Sequence, residues 1–348
     1  MKVLYAYRYG IVGGVSTQLL LRQKALSKNG IDCQLFFSQD NGLRQILPHQ
    51  RGTHFGVDIA LKTLVRREAF DAVVVIDSPE LLGAAAGSLW RRPSVYLDVH
   101  TTTSNGLAYL ADIDVSKLAG VMVPTHYSAE LVSKRVDGVV VHVVSNILNT
   151  DVFFPVEKGD PDFQGGSREF IWVGKLDNHK NWRLALVYAR MLNDVLGPIR
   201  LHLVGGFTTP DSRAVGLFEL AYRLGISNRI NWIDRVENTQ LCELYRQCSA
   251  SGGAMLVTSR DESFGMAAAE ALLCGCPLIA NDLPVFHEVF PVSPLVNLVD
   301  VWRPEQVANA GQALMSGVSD SEVQRLYKEL RRRYGAKAFV DTFMALVE

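Results

Sequence analysis

Short, mostly apolar runs recur along this chain, with stretches of helix formers lying between them. Val3–Tyr7, Cys33–Phe37, Ala72–Asp77, Val95–His100, Val121–Pro124 and Val139–Val144 read as strands in the first part. Val15–Asn29, Pro79–Trp90 and His126–Val136 read as helices between them. A strand that is apolar at every position, rather than every second one, is buried on both faces. Helices packed on both sides of a parallel sheet bury it in that way. A second series opens at Phe170-Ile-Trp-Val-Gly and continues through Arg200-Leu-His-Leu-Val-Gly-Gly, Arg229-Ile-Asn-Trp-Ile, Ala254-Met-Leu-Val-Thr and Leu278-Ile-Ala. The Pro/Gly-rich stretch Pro155–Arg168 between the two series is the clearest linker signal.

At 348 residues the chain is too long for one compact core. The two series therefore predict two α/β domains, residues 1–150 and 151–329, with a cleft where their strand C-terminal edges face one another. The charged segment Ser321–Glu348 reads as one or two closing helices.

Composition narrows the class. With 48% hydrophobic and 20% charged residues the chain fits a soluble globular protein, and no apolar run is long enough to span a bilayer. The first ten residues read as a buried strand rather than a signal peptide. Five cysteines show no zinc-ligand spacing and are expected to be free thiols of a reducing cytoplasm. A net charge of −1 gives no reason to invoke nucleic acid. The pairs Arg66-Arg67, Arg91-Arg92 and Lys134-Arg135 would suit peripheral contact with an anionic membrane, although solvated helix ends are the plainer reading.

One stretch carries most of the chemistry. Glu262 lies in a polar loop closed by Phe264-Gly265-Met266, and Glu270 follows about one turn inside the helix-forming run Ala267–Cys274. Gly275 and Pro277 stop that run before a short buried strand. A helix N-terminus with two carboxylates suits an anion or a set of sugar hydroxyls. A capping carboxylate beside an exposed helical glutamate is the bland alternative. The density of the surrounding pattern decides against it: Ser259-Arg-Asp-Glu-Ser-Phe-Gly, a second Glu after seven residues, then Ala-Leu-Leu-Cys-Gly-Cys-Pro. That stretch resembles the E-x7-E region of family-4 glycosyltransferases, retaining nucleotide-sugar-dependent enzymes of the GT-B fold.

The resemblance runs from about residue 2 to residue 315 and implies roles elsewhere. It implies a GT-B architecture of two Rossmann-like domains, the first on the acceptor side, with the final helix (about 330–348) packing back on the first domain. Gly10-Ile-Val-Gly13-Gly14 follows the first strand without forming a dinucleotide or P-loop fingerprint. In the family a Gly-Gly loop here lines the diphosphate and acceptor side, and Gly13 and Gly14 match it. In Gly174-Lys175-Leu-Asp-Asn-His-Lys180-Asn, two lysines past a strand end can converge on a diphosphate. The family usually has Gly-Arg-Leu and then Lys-Gly, so Lys175 replaces an arginine fork with a point charge and Asn181 replaces a glycine. His100 ends a strand, where the family often has His followed by Asp; Thr101 stands in place of that Asp. Asn146 is kept where the family has Pro-Asn-Gly, flanked here by Ser145 and Ile147. Leu224–Val236 matches the part that holds the nucleotide base.

The resemblance therefore implies a transferase moving sugar from a nucleoside diphosphate sugar, UDP favoured over GDP, to a hydroxyl of a carbohydrate, lipid-linked or small-molecule acceptor. Catalytic roles fall to His100, Lys180 and Glu262. Donor contacts fall to Gly13, Gly14, Lys175, Lys180, Val236, Phe264, Gly265, Met266 and Glu270. No cofactor beyond the nucleotide sugar and no metal is expected, since Asp112-Ile-Asp114 does not stand at a strand end. A nucleotide-sugar 2-epimerase on the same fold and a non-catalytic subunit that kept the fold are the competing readings.

Overall fold

The computed structural model describes residues 1–11, 13–46, 51–86, 92–156, 167–206 and 209–347. Most of the Pro155–Arg168 linker stretch, Val12, Arg91 and the end of the helix expected at Pro79–Trp90 lie outside them. The chain divides into two compact units, Met1–Ile147 with Tyr334–Glu348, and Leu148–Arg333. Both are doubly wound α/β units of the Rossmann type.

The first unit holds strands β1 (Lys2–Gly10), β2 (Asp32–Asp40), β3 (Thr53–Phe55), β4 (Ala72–Ile76), β5 (Ser94–Asp98), β6 (Gly120–Val123) and β7 (Val141–Val143). They pair in the order β3-β2-β1-β4-β5-β6-β7, parallel throughout. Its helices are α1 (Gly14–Lys28), α2 (Leu43–Ile46), α3 (Asp58–Glu68), α4 (Leu82–Ala85) and α5 (His126–Ser133). The pleat sorts the side chains. Val3, Tyr5, Leu35, Phe37, Val74 and Ile76 share one core with Leu19 and Leu26 of α1. Leu4, Ala6, Phe36, Val73 and Val75 face the other side, against Leu61, Leu64 and Val65 of α3. Both faces are covered, which is why these strands carry no polar alternation.

The second unit holds α6 (Trp182–Leu196), α7 (Asp211–Arg223), α8 (Asn238–Ala250), α9 (Met266–Leu273), α10 (Pro284–Val289), α11 (Glu305–Leu314) and α12 (Asp320–Tyr334). Its strands are β8 (Arg168–Val173), β9 (Ile199–Val204), β10 (Ile230–Ile233), β11 (Met255–Val257), β12 (Leu278–Asn281) and β13 (Val296–Val299), in the order β10-β9-β8-β11-β12-β13. Phe170, Trp172, Leu201, Leu203 and Leu256 pack under α6, α7 and α11. The opposite face lies against α8 and α9.

Two differences from the sequence reading have physical causes. Of the expected helix Pro79–Trp90, the described residues form a 3-10 turn at Pro79–Leu81 and the single turn of α4, with Ala86 in a turn. Gly83 and a run of small residues supply little packing to propagate a longer helix. Strands β3 and β13 were not legible, because each lies at a sheet edge and mixes polar with apolar residues.

The last helix, α13 (Ala336–Val347), belongs to the first unit. Phe339, Val340 and Phe343 enter the α1-side core, with the Phe343 ring 6.0 Å from that of Tyr5 and 5.6 Å from that of Phe339. Phe343→Ala should lower unfolding stability by about 3–5 kcal/mol, read as a fall in the urea midpoint. An unchanged midpoint would show that α13 adds nothing to this core.

Candidate functional site

In each sheet the strand order reverses once, between β1 and β4 in the first unit and between β8 and β11 in the second. Crossovers on either side of such a point run to opposite faces, so the loops after the two central strands part and leave a crevice at their C-terminal ends. The two loops singled out in the second unit leave β8 and β11, one on each side of its reversal.

Those loops are locked together. Thr258, the first residue after β11, accepts from Trp172 Nε1 at 2.9 Å and lies 3.1 Å from the carbonyls of Lys180 and Asn181. The amide of Arg260 donates to the His179 carbonyl at 2.9 Å. Asp177 Oδ1 accepts from the Lys180 amide at 2.8 Å, and Asn181 begins α6 in the left-handed region at φ 53°. The glycine that the family resemblance implies at this place is replaced by the side chain that best tolerates that conformation.

This framework brings Lys180 and Glu262 into contact, Nζ to Oε1 at 2.5 Å. Ser259 Oγ donates to the same oxygen at 2.6 Å. Lys180 retains two further N–H donors and Glu262 its second oxygen, both side chains being partly exposed. A narrow crevice beside them is lined by Trp172, Thr258, Ser259, Gly265 and Ala268. Lys175 stands on the same loop as an exposed ammonium. Val236 is half-buried in the loop between β10 and α8.

The loop after β11 turns into α9 through Gly265, at φ 89°. A Cβ there would lie 2.6 Å from the Phe286 ring, so both backbone and space require glycine. Phe264 is buried, which anchors the turn, and Met266 opens the helix at the positive end of its dipole. Glu270 follows in the second turn. Its carboxylate has no hydrogen-bond or ion-pair partner among the described residues, and burial pushes it from the ordinary 4.5 up to about 8. Tyr245 holds the helix start from below, its hydroxyl donating to the Ala267 carbonyl at 3.2 Å.

The first unit presents its own set at the corresponding edge. Gly13 caps α1 after β1 and Gly14 opens the helix; a Cβ on either would meet nothing within 4 Å, and Gly13 has an extended backbone. Packing does not explain these glycines. His100 lies two residues past β5. Its Nε2 is 3.1 Å from Asp98 Oδ2, and its amide donates to both oxygens of Asp77, at 3.2 and 3.1 Å. Burial raises the Asp77 carboxyl to about 6. Burial works the same way at Asp98, but the His100 ring and the Arg22 guanidinium outweigh it and hold that carboxyl well below the usual range.

Several of these partners escaped sequence reading: Thr258, Asp77, Asp98 and Arg22. Asp98-Val-His100 was the one local signal, two polar residues on the same side of a strand end. Asp114 of the Asp-x-Asp pattern caps a 3-10 turn, accepting from Ser116 Oγ at 2.6 Å and pairing with Lys117 at 2.8 Å. Among the described residues no three His, Cys, Asp or Glu side chains gather into a metal site, and no helix is long and apolar enough to cross a membrane.

Comparison with known proteins bears on this arrangement. The family Glycosyl transferases group 1 matches residues 154–332. Among curated proteins, the D-inositol 3-phosphate glycosyltransferase of Rhodococcus opacus is 33% identical over 124 residues, which cover 35% of this chain and 27% of that protein. The D-inositol 3-phosphate glycosyltransferase of Xylanimonas cellulosilytica is 27% identical over 220 residues, 58% of this chain and 51% of its own. The O-antigen chain mannosyltransferase RfbU of Salmonella typhimurium is 25% identical over 183 residues, 52% and 47% of the two chains. The chain thus spans about half or less of the length of these relatives. Among solved structures, Anabaena HepE in complex with UDP and glucose superposes with a TM-score of 0.79 at 14% identity, covering 99% of this chain and 98% of that one. TarM of S. aureus gives 0.79 at 10% identity, covering 100% and 99%. These likenesses establish the GT-B class of fold.

The Glu270 carboxyl yields a stability prediction. Its folded value lies above its unfolded one, so the folded state binds the extra proton and its stability falls as pH rises from about 4.5 to 8. Every tenfold difference in proton affinity between the two states is worth at most ~1.4 kcal/mol. Glu270→Gln removes this loss, so the ligand-free variant should melt progressively higher than wild type between pH 5 and 8.5. Parallel melting curves for the two proteins across that range would contradict the desolvated, unpaired carboxyl.

Proposed function

Because this chain belongs to the group 1 glycosyl transferases, we propose that it moves a sugar from a nucleoside diphosphate sugar to an acceptor hydroxyl. The observation that carries this reading is the Lys180–Glu262 contact at the strand-order reversal of the second unit, with the desolvated Glu270 on the helix that follows. Negative charge grows on the departing diphosphate, and fixed positive groups stabilise it without reorganising. Lys180 supplies two unused donors, Lys175 an exposed ammonium, and the backbone at Phe264–Met266 the positive end of α9. We assign that charge to these groups rather than to a metal.

Glu262 orients the sugar through its second oxygen, and Glu270 takes the ribose hydroxyls. A hydroxyl donating to Glu270 favours its charged form, so nucleotide binding and ionisation of this carboxyl reinforce each other. Val236, in the loop after β10, is assigned to the nucleotide base. His100, Gly13 and Gly14 are assigned to the sugar and acceptor. We assign no side chain as a covalent nucleophile and adopt the retaining, front-side displacement that the likeness to family 4 implies, with the leaving phosphate accepting the acceptor's proton. UDP is the favoured carrier, because HepE and TarM are described with it. The acceptor class is a carbohydrate, lipid-linked or small polyol hydroxyl, in keeping with relatives named for inositol 3-phosphate and O-antigen. Buried free cysteines suit a cytoplasmic setting.

Thermal-shift screening against UDP-, GDP- and dTDP-sugars should single out one nucleotide, since a ligand that binds only the folded state raises its melting temperature. With that donor, Glu270→Ala should weaken nucleotide binding by roughly ten-fold or more, the loss of one charge-assisted contact. Wild-type affinity should also rise between pH 6 and 8.5. Lys180→Ala should lower turnover more than it weakens binding. Release of an altered sugar without acceptor would favour an epimerase instead, and no stabilisation by any nucleotide would remove the donor site.

A further inference from the structure

The first unit contains a charge arrangement that its packing does not require. Arg22 of α1 and Asp98 at the end of β5 are both closed to solvent and form an ion pair. The guanidinium lies over the rings of Tyr5 and Phe339, 5.7 and 5.3 Å from their centroids. Among the described residues, Arg22 Nε and Nη2 and Asp98 Oδ1 have no hydrogen-bond partner. A buried pair with unmet donors stabilises a core no better than apolar side chains of similar volume, and often less well. Its value must then lie in what it holds.

What it holds is His100. The Asp98 oxygen that meets Arg22 is also the one 3.1 Å from His100 Nε2. An ionised carboxylate can only accept, so Nε2 must carry a proton. The main chain is pinned as well, by the two bonds from the His100 amide to Asp77. Asp77 holds φ at 39° and accepts from the Tyr109 hydroxyl at 3.3 Å. Ring and backbone are thus gripped from two neighbouring strand ends. Nδ1 is the ring nitrogen left without a partner among the described residues, and the side chain keeps 8% of its surface open.

We propose that Asp98, paired with Arg22, is a positioning residue that fixes His100 with its proton on Nε2 and offers Nδ1 as a hydrogen-bond acceptor to a sugar hydroxyl. The inference rests on the proposed transferase reading for the identity of the hydroxyl, but not for the tautomer. A carboxylate partner on the far nitrogen selects one tautomer in the same way at metal-bound histidines.

The test separates the two parts. Long-range proton–nitrogen correlation spectra of the histidine-labelled protein, with His100 assigned among the eight histidines by subtraction of His100→Asn, should show a protonated Nε2 and a bare Nδ1 at the pH of assay. A protonated Nδ1 in the wild type overturns the proposal whatever the protein catalyses. Arg22→Met keeps the core apolar but leaves the Asp98 charge unpaired, so Asp98 should take up a proton, donate to Nε2 and drive the ring to the opposite tautomer. Asp98→Asn should abolish the tautomer preference and lower kcat by about 10–100-fold, while calorimetry finds UDP affinity unchanged. Wild-type kcat in a folded Asp98→Asn protein, or an unaltered ring spectrum in a folded Arg22→Met protein, would refute the positioning role. Should no donor support transfer at all, the functional reading fails while the spectra still decide the tautomer.

Discussion

Parallel strands cannot be joined by a tight turn. Each connection must cross over one face of the sheet, and both faces are consequently closed by helices. The free strand ends then become the one place where loop side chains can gather. Both units obey this constraint, with sheets that start from a central strand and grow first to one side and then to the other. Lys180 and Glu262, distant in sequence, meet because β8 and β11 are neighbours at that reversal. Asp77 and His100 meet because β4 and β5 are neighbours.

The two units use the same geometry with different electrostatics. In the second, the charges stand at the rim, partly wet, and Lys180 and Glu262 keep bonding capacity for a ligand. In the first, the charge pair lies inside, and only the histidine that it orients reaches the edge. A rim pair can rearrange at small cost when a ligand arrives. A buried pair cannot, because separating its charges in a medium of low polarity is expensive. The one suits charge transfer to a changing ligand, and the other suits holding a ring still.

Glu270 is a third arrangement, a carboxyl placed where burial disfavours its charge and no described residue compensates. Such groups are concentrated at sites where a ligand completes the environment. Gly265 makes the position possible. Any side chain there would press on Phe286, so the turn into α9, and with it the depth of Glu270, depends on that one glycine.

Local pattern alone was enough for the alternation of buried strands and helices, the helix that starts behind Phe264-Gly265 and the residue types around the paired glutamates. Apolar periodicity and glycine punctuation report directly on burial and backbone conformation, and those are properties of a few consecutive residues. The edge strands β3 and β13 escaped because an edge needs no continuous apolar run. Over its described part, the helix expected at Pro79–Trp90 begins as a 3-10 turn and the short α4, where Gly83 interrupts the local preference. The Thr258 bridge between two loops, the Lys180–Glu262 pair, and the Arg22–Asp98–His100 chain were decided by the tertiary structure alone. Each joins residues from different elements, and only the order in which the strands pair and the helices cover them determines which are neighbours.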